Sequence, residues 1–339
     1  MGWVWVVFLA AAGAVAVAGS MLAGVADRLA DRTGMGEAVT GGVLLGVATS
    51  LSGITASVTA AADGYASMAV SNAMGGIAIQ SVFLAVADLF LKDRNLEHAA
   101  ASPTNLAQSG LLVLLLGLVM LAMTGPQAAL TVYGVHAATP AVLVAYALGL
   151  RLVVSVKAKP MWKATRTRDT VPDEPEAKNV RESLVKLVVL MGVLGLVVTL
   201  AGVTLARAGG QMVERMGMNQ SLAGGLFLAV TTSLSELVTT VAAVRRGALT
   251  LAVGDIVGGN AFDVLFICVA DVAYRGGSLY GDAGRSDLFL VALTLVMNVV
   301  LMLGLIARQR AGPGKIGWEG ILVIGLYVAG FYALWRGVG

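Results

Sequence analysis

Three acids stand inside stretches that are otherwise apolar. Glu236 follows the hydroxyl run Thr232, Ser233 and Ser235, while Asp255, Gly259 and Asp263 recur at intervals of four. That interval, which also separates Thr232 from Glu236, places groups on one face of a helix. Carboxylate, amide, hydroxyl and backbone carbonyl oxygens are the ligands that hard cations take. Polar groups in a membrane-embedded segment are costly and mark ion or proton pathways. A carboxylate there can hold a proton or a metal ion in turn, which is a physical route to antiport.

The same pattern occurs 183 residues earlier. Residues 34–88 align with 217–271 without a gap, with 22 identities in 55 positions. GGVLLGVATSLSG (41–53) matches GGLFLAVTTSLSE (224–236), and AVSNAMGGIAIQ (69–80) matches AVGDIVGGNAFD (252–263). Shared apolar composition does not explain the common TSLS and Gly-Gly, so the chain is an internal duplication. Its charge is one-sided. Asp255 corresponds to Asn72, Asp263 to Gln80 and Glu236 to Gly53. Asp255 and Asp263 are roughly 12 Å apart along an unbroken helix, so one ion cannot use all three acids. Glu236 and Asp263 fall near the middle of their segments and are assigned to a central site. Asp255 is nearer a segment end and is assigned to a vestibule or second site. Thr49, Ser50, Thr232, Ser233, Gln80, Asn72 and Asn260 complete the candidate ion-binding set. Asp88 and Asp271 also correspond, at segment ends, and read as interfacial caps.

The elements that must position these residues are membrane spans. Of 339 residues 58% are hydrophobic and 13% charged, more apolar surface than a soluble domain of this size can hide. Ten segments reach spanning length, at about 3–26, 36–62, 67–91, 107–124, 128–155, 183–207, 219–245, 249–273, 286–308 and 316–336. They are long and continuously apolar, which specifies helices and not a β-barrel. The first segment has no Lys or Arg before its apolar run and is uncharged from Trp3 to Ala26, so it reads as a span and not a signal peptide. Alternation from an outside N-terminus puts 18 of the 23 Lys and Arg inside, leaving Arg207, Arg215, Arg275, Arg285 and Arg336 outside. The net charge of +3 therefore reflects orientation, and no nucleic-acid partner is expected.

Five spans per half is an odd number, so the second copy enters the membrane inverted. Inverted repeats hold their substrate near the midplane, where the halves meet. The expected fold is an all-α polytopic membrane protein of ten transmembrane helices in two inverted five-helix repeats, residues 1–155 and 183–339. A cytoplasmic linker, 156–182, carries Pro160, Pro172 and Pro175 and reads as a solvated connection. With no targeting sequence, the expected location is a plasma (inner) membrane, with both termini outside. The lone Cys268 forms no intramolecular disulfide, and His98 and His136 lack metal-ligand spacing. There is no nucleophile–base pair, His cluster or nucleotide motif, so neither an enzyme nor a bound cofactor is expected. The expected partners are small inorganic cations and the lipid bilayer; the oligomeric state is left open.

TTSLSELVTTVAAVRRG followed by GDIVGGNAFDVL resembles the second α-repeat of the calcium/cation antiporter superfamily, which includes sodium/calcium exchangers. ATSLSGITASVTAAADG followed by SNAMGGIAIQSV resembles the first. The resemblance implies ten spans in two inverted halves, with spans 2, 3, 7 and 8 forming the ion site. It further implies that Thr49, Thr232, Ser50 and Ser233 are ion-site residues and that Glu236 is one of two calcium-binding glutamates. Asp263 matches the acid or amide closing the motif, and Gln80 stands where the first copy commonly has Asn. The departures bear on function. Gly53 replaces the other calcium-binding glutamate, Ser52 and Ser235 replace both motif prolines, Gly76 and Gly259 replace both motif serines, and Asp255 replaces an asparagine. The expected function is secondary-active antiport of Ca²⁺ or another cation against Na⁺ or H⁺. The alternatives are a monovalent Na⁺/H⁺ exchanger and a non-transporting relative acting as a binding or assembly partner.

Overall fold

The computed structural model describes residues 2–91, 94–126, 131–216 and 223–337. Lys92 and residues 217–222 of the second repeat copy lie outside that range, as do the side chains of Lys178 and Arg215. Among the described residues nine helices are long and apolar enough to span a membrane, and a bent pair makes the tenth. In chain order they are α1 (Gly2–Thr33), α2 (Glu37–Ala62), α3 (Ala66–Asp88), α4 (Pro103–Thr124), α5 (Ala138–Ala158), α6 (Leu184–Met216), α7 (Gly225–Thr232 with Leu234–Arg246), α8 (Leu249–Ala273), α9 (Arg285–Ala307) and α10 (Trp318–Trp335). Among the described residues the fold is all-helical apart from a two-stranded hairpin, β1 (Thr131–Val132) and β2 (Val135–His136). Span 5 was expected from about 128; residues 127–130 lie outside the described range, and the hairpin takes 131–136. Tyr133 and Gly134 turn through positive φ, and Asp271 accepts the His136 N–H, so α5 starts only at Ala138.

Burial sorts the helices. In α3, 89% of the spanning window is enclosed by protein, against 11% in α5. Helices α3 and α8 form the centre, and outer helices show Leu121, Leu152, Leu200 and Val328 to the surroundings. With lipid as solvent, apolar burial does not drive helices together, and close backbone packing takes its place. Small residues supply it here. A Cβ on Gly75 of α3 would lie 2.6 Å from the Cα of Gly225 in α7, and one on Gly258 of α8 would lie 2.4 Å from the Cα of Gly42 in α2. Those two crossings correspond under the 183-residue offset, so the halves interlock through one contact used twice.

The repeat extends to the backbone. Both copies open with a π-helical turn at matching positions, Thr40–Leu45 and Ala223–Leu228. Gly64 (φ 87°) and Gly247 (φ 85°) follow α2 and α7 at matching positions in the left-handed region that glycine tolerates. Asp88 and Asp271 cap as expected, although what they cap is the next short helix. Asp88 Oδ1 accepts the Leu96 N–H at 2.6 Å, and Asp271 Oδ1 accepts the Leu279 N–H at 3.1 Å.

The segment between the halves is pinned and not simply solvated. Asp173 pairs with Lys157 at 2.6 Å and accepts the Glu37 N–H, Asp169 pairs with Arg310 at 2.6 Å, and Asn179 donates to Asp31. Single surface pairs contribute little, but these tie one segment to the ends of α1, α2 and α5 and to the residues just after α9.

Candidate functional site

Helices α2, α3, α7 and α8 meet where the two Gly–Gly crossings hold the repeats together. Beside them two hydrogen bonds cross between the halves. Ser52 Oγ donates to the Thr232 carbonyl at 3.1 Å, and Ser235 Oγ approaches the Thr49 carbonyl at 3.4 Å. Ser52 corresponds to Ser235 and Thr49 to Thr232, so this is again one contact used twice. These serines stand where the resemblance leads one to expect proline. A proline could not donate, so the substitution turns two helix-breaking positions into cross-repeat links.

The backbone nevertheless breaks, on one side only. Helix α7 is interrupted at Ser233 and bends by 49°. The corresponding Ser50 lies within continuous helix. The break separates Thr232 from Glu236, so these two do not share a helix face as their spacing of four implied. Glu236 instead lies in the first turn of Leu234–Arg246, where free N–H groups and the helix dipole favour negative charge.

At the centre, Asp263 Oδ2 accepts from Gln80 Nε2 at 2.8 Å, and the same nitrogen lies 3.2 Å from Ser233 Oγ. Ser50 lies beside the Asp263 carboxylate without meeting hydrogen-bond geometry to it. Glu236 Oε2 accepts from Ser235 Oγ at 2.9 Å, and Asp263 and Asp255 are its charged neighbours. The hydroxyls of Thr49 and Thr232 donate back to carbonyls of their own helices, leaving oxygen lone pairs available. All these side chains are buried. Asp263 Oδ1, Gln80 Oε1, Ser50 Oγ and both polar atoms of Asn260 have no hydrogen-bond partner. Buried polar atoms ordinarily have one, and Asp263, Gln80 and Ser50 lie together, so their open atoms point to a ligand.

Asp255 and Asn72 form a pair of matching arms flanking that centre. Asp255 Oδ2 accepts from Thr239 at 2.7 Å and Thr240 at 3.0 Å. Asn72 Nδ2 donates to Ser57 Oγ at 2.8 Å and to the Gly53 carbonyl at 3.2 Å. Ser57 corresponds to Thr240, so an amide that donates in one half is replaced by a carboxylate that accepts in the other. Helix Leu249–Asp263 is continuous, which keeps Asp255 two turns from Asp263. Asp255 is wholly enclosed, so it does not stand in an open vestibule. Among the described residues no three His, Cys, Asp or Glu side chains converge as a metal-binding group. An ion at the centre would therefore take at most two carboxylates, with neutral oxygens completing its shell.

None of the described ion pairs involves Glu236, Asp255 or Asp263. Thr239, Thr240 and Ser57 were not singled out from sequence. Their signal is their placement: Thr239 and Thr240 follow Glu236 by three and four residues, one turn along the same helix. His98, His136 and Cys268 stand elsewhere. His98 joins the Arg308 carbonyl to Thr167, His136 packs against the Tyr280 ring, and Cys268 is a buried free thiol.

Ten spans in interlocking inverted halves, with buried acids at their crossing, define a membrane transporter of the inverted-repeat class. Residues 3–155 and 186–336 match the family described as sodium/calcium exchanger protein, and the chain belongs to that family. An uncharacterized membrane protein of Methanocaldococcus jannaschii is 25% identical over 317 residues, covering 92% of this chain and 91% of its own. Sodium/calcium exchanger MaX1 of Methanosarcina acetivorans is 31% identical over 116 residues, 34% of this chain and 31% of its own length. Structures of the sodium–calcium exchanger NCX_Mj share the fold, with a TM-score of 0.69 and 17% identity over 98% of this chain and 100% of that one.

Proposed function

We propose that the protein is a secondary-active antiporter that exchanges Ca²⁺ or another cation for Na⁺ or H⁺ at the crossing of its repeats. One observation carries this reading. Buried carboxylates with no basic partner stand among unpartnered amide and hydroxyl oxygens, at the contact between two inverted halves. Burying an isolated negative charge is prohibitive, so Glu236 and Asp263 must each take a proton or share a cation. Alternation between those two states is the chemistry of exchange. In the proposed site Glu236 and Asp263 supply charge, and Ser50, Ser233, Gln80, Asn260 and the two threonines supply neutral oxygens. Asp255 with Asn72 forms a neighbouring station. The linker faces the cytoplasm and both termini face outside, in keeping with the charge distribution.

Gly53 favours a second reading within transport. With no carboxylate from the first half, a site holding two acids suits Na⁺ and H⁺ better than a divalent ion.

The test is ion-dependent thermal stabilisation of the purified protein with Ca²⁺, Mg²⁺, Mn²⁺, Na⁺ and K⁺ in turn, for wild type and Glu236→Gln. A ligand at 100 times its Kd stabilises the native state by about 2.7 kcal/mol. A divalent response lost in the variant supports the first reading, and a response to Na⁺ alone supports the second. No response to any of these ions counts against both.

A further inference from the structure

Gly53 lacks the carboxylate that Glu236 supplies at the matching position, and the structure shows what lies there instead. A Cβ on Gly53 would lie 2.5 Å from Cε2 of Phe266 and 3.1 Å from its Cζ. Non-bonded carbons settle at about 3.5–4.0 Å, so even a methyl group does not fit. The ring is enclosed. Phe266 is 4% exposed and stands edge-on to Phe262 at 6.5 Å, which stands edge-on to Tyr146 of α5 at 6.2 Å.

The counterpart of Phe266 is Phe83, so the halves differ in what stands at the matching position, Gly53 against Glu236. The end of α8, Leu265–Ala273, packs against Gly46–Ala62 and brings the Phe266 ring onto Gly53. Asp263, three residues earlier, turns its carboxylate to Gln80.

We propose that Phe266 occupies the place of the missing first-repeat carboxylate and, together with Gly53, limits the site to the acids of the second repeat. Phe266 is then a specificity-determining residue, acting through the volume it fills and not through contact with the ion. The proposal rests on the central site proposed above. It explains why one acid less need not mean an empty space: the pocket is closed by packing, so water does not replace the carboxylate.

The test is a double-mutant cycle with two readouts. For Gly53→Ala, Phe266→Ala and the double variant, thermal stability without added cation is measured. The methyl group should destabilise the wild-type background and cost much less when the ring is gone; additive effects would overturn the proposal. For Gly53→Glu with Phe266→Ala, the Ca²⁺ concentration giving half-maximal thermal stabilisation should fall at least about tenfold relative to Phe266→Ala alone, because added ligand charge raises divalent affinity. Equal midpoints would also overturn it, as would a Gly53→Glu single variant as stable as wild type. If wild type responds to no cation while the cycle couples and the glutamate variant gains Ca²⁺ binding, the proposed antiport fails and this inference stands.

Discussion

The Gly–Gly crossings predict a matched pair of destabilisations. In Gly75→Ala the new methyl would lie 2.2 Å from the Gly225 carbonyl oxygen and 2.6 Å from the Gly225 Cα. Both neighbours are backbone, so no side chain can give way. Restoring carbon–carbon contact requires α3 and α7 to part by roughly 1 Å. Overpacking of this kind costs about 1–3 kcal/mol, and a rigid backbone neighbour puts this case at the upper end. Alanine's better helix propensity returns at most about 1 kcal/mol, leaving a net loss of about 1–2 kcal/mol. Gly258→Ala should lose a similar amount against Gly42, although there Gln108 Nε2 at 2.6 Å can move. Gly192→Ala is the control, since nothing lies within 4 Å of its Cβ. Thermal unfolding of the three variants in one detergent reads the difference. Gly75→Ala and Gly258→Ala should both melt below wild type, and Gly192→Ala at or above it. If Gly75→Ala matched Gly192→Ala, or the two crossing variants moved in opposite directions, the interlocked inverted pair would be refuted.

The cross-repeat serines give a second symmetric test. Ser52→Ala and Ser235→Ala each remove a bond of about 0.5–1.5 kcal/mol, but Ser235→Ala alone also strips a donor from Glu236 and should shift cation affinity, measured by ion-dependent melting. Thr240→Val leaves the Asp255 carboxylate one donor short in a buried place and should cost about 1–3 kcal/mol, more than Ser57→Ala at the matching position, by the same melting assay. The acids of the segment after α3 predict a pH effect. Burial, reinforced by the nearby Asp88 and Glu319 carboxylates, holds the Glu97 carboxyl well above its ordinary value of 4.5. The native state therefore binds a proton that the unfolded chain releases, so this group's contribution is intact below that value and is lost as pH rises. Glu97→Gln should remove the penalty, gaining melting temperature over wild type at about pH 8 and little or nothing at about pH 5.

Much of this was legible in the sequence because duplication makes every position its own control. The constant offset exposed the one-sided acids Glu236, Asp255 and Asp263, and span parity gave the inversion. Apolar length alone located most of the spans. The break was less legible. Ser233 is neither Gly nor Pro, so local propensity does not mark it, and the four-residue spacing of Thr232 and Glu236 misled for that reason. The Ser52–Thr232 bond was hidden because it joins residues 180 apart, and nothing local says which carbonyl a buried hydroxyl will find. Phe266 reads as ordinary core in an apolar helix, and only its distance from Gly53 gives it a role. The linker's carboxylates looked solvated because their partners, Lys157 and Arg310, are separated from them by folding and not by pattern.

The central claim is that cations exchange through Glu236 and Asp263, and ion flux in reconstituted vesicles tests it most directly. Labelled Ca²⁺ and Na⁺ uptake is followed under an imposed Na⁺ or H⁺ gradient for wild type, Glu236→Gln and Asp263→Asn, each first shown to be folded. The account predicts gradient-driven uptake of at least one cation by wild type and its loss in both variants. Full exchange retained by both variants would contradict it.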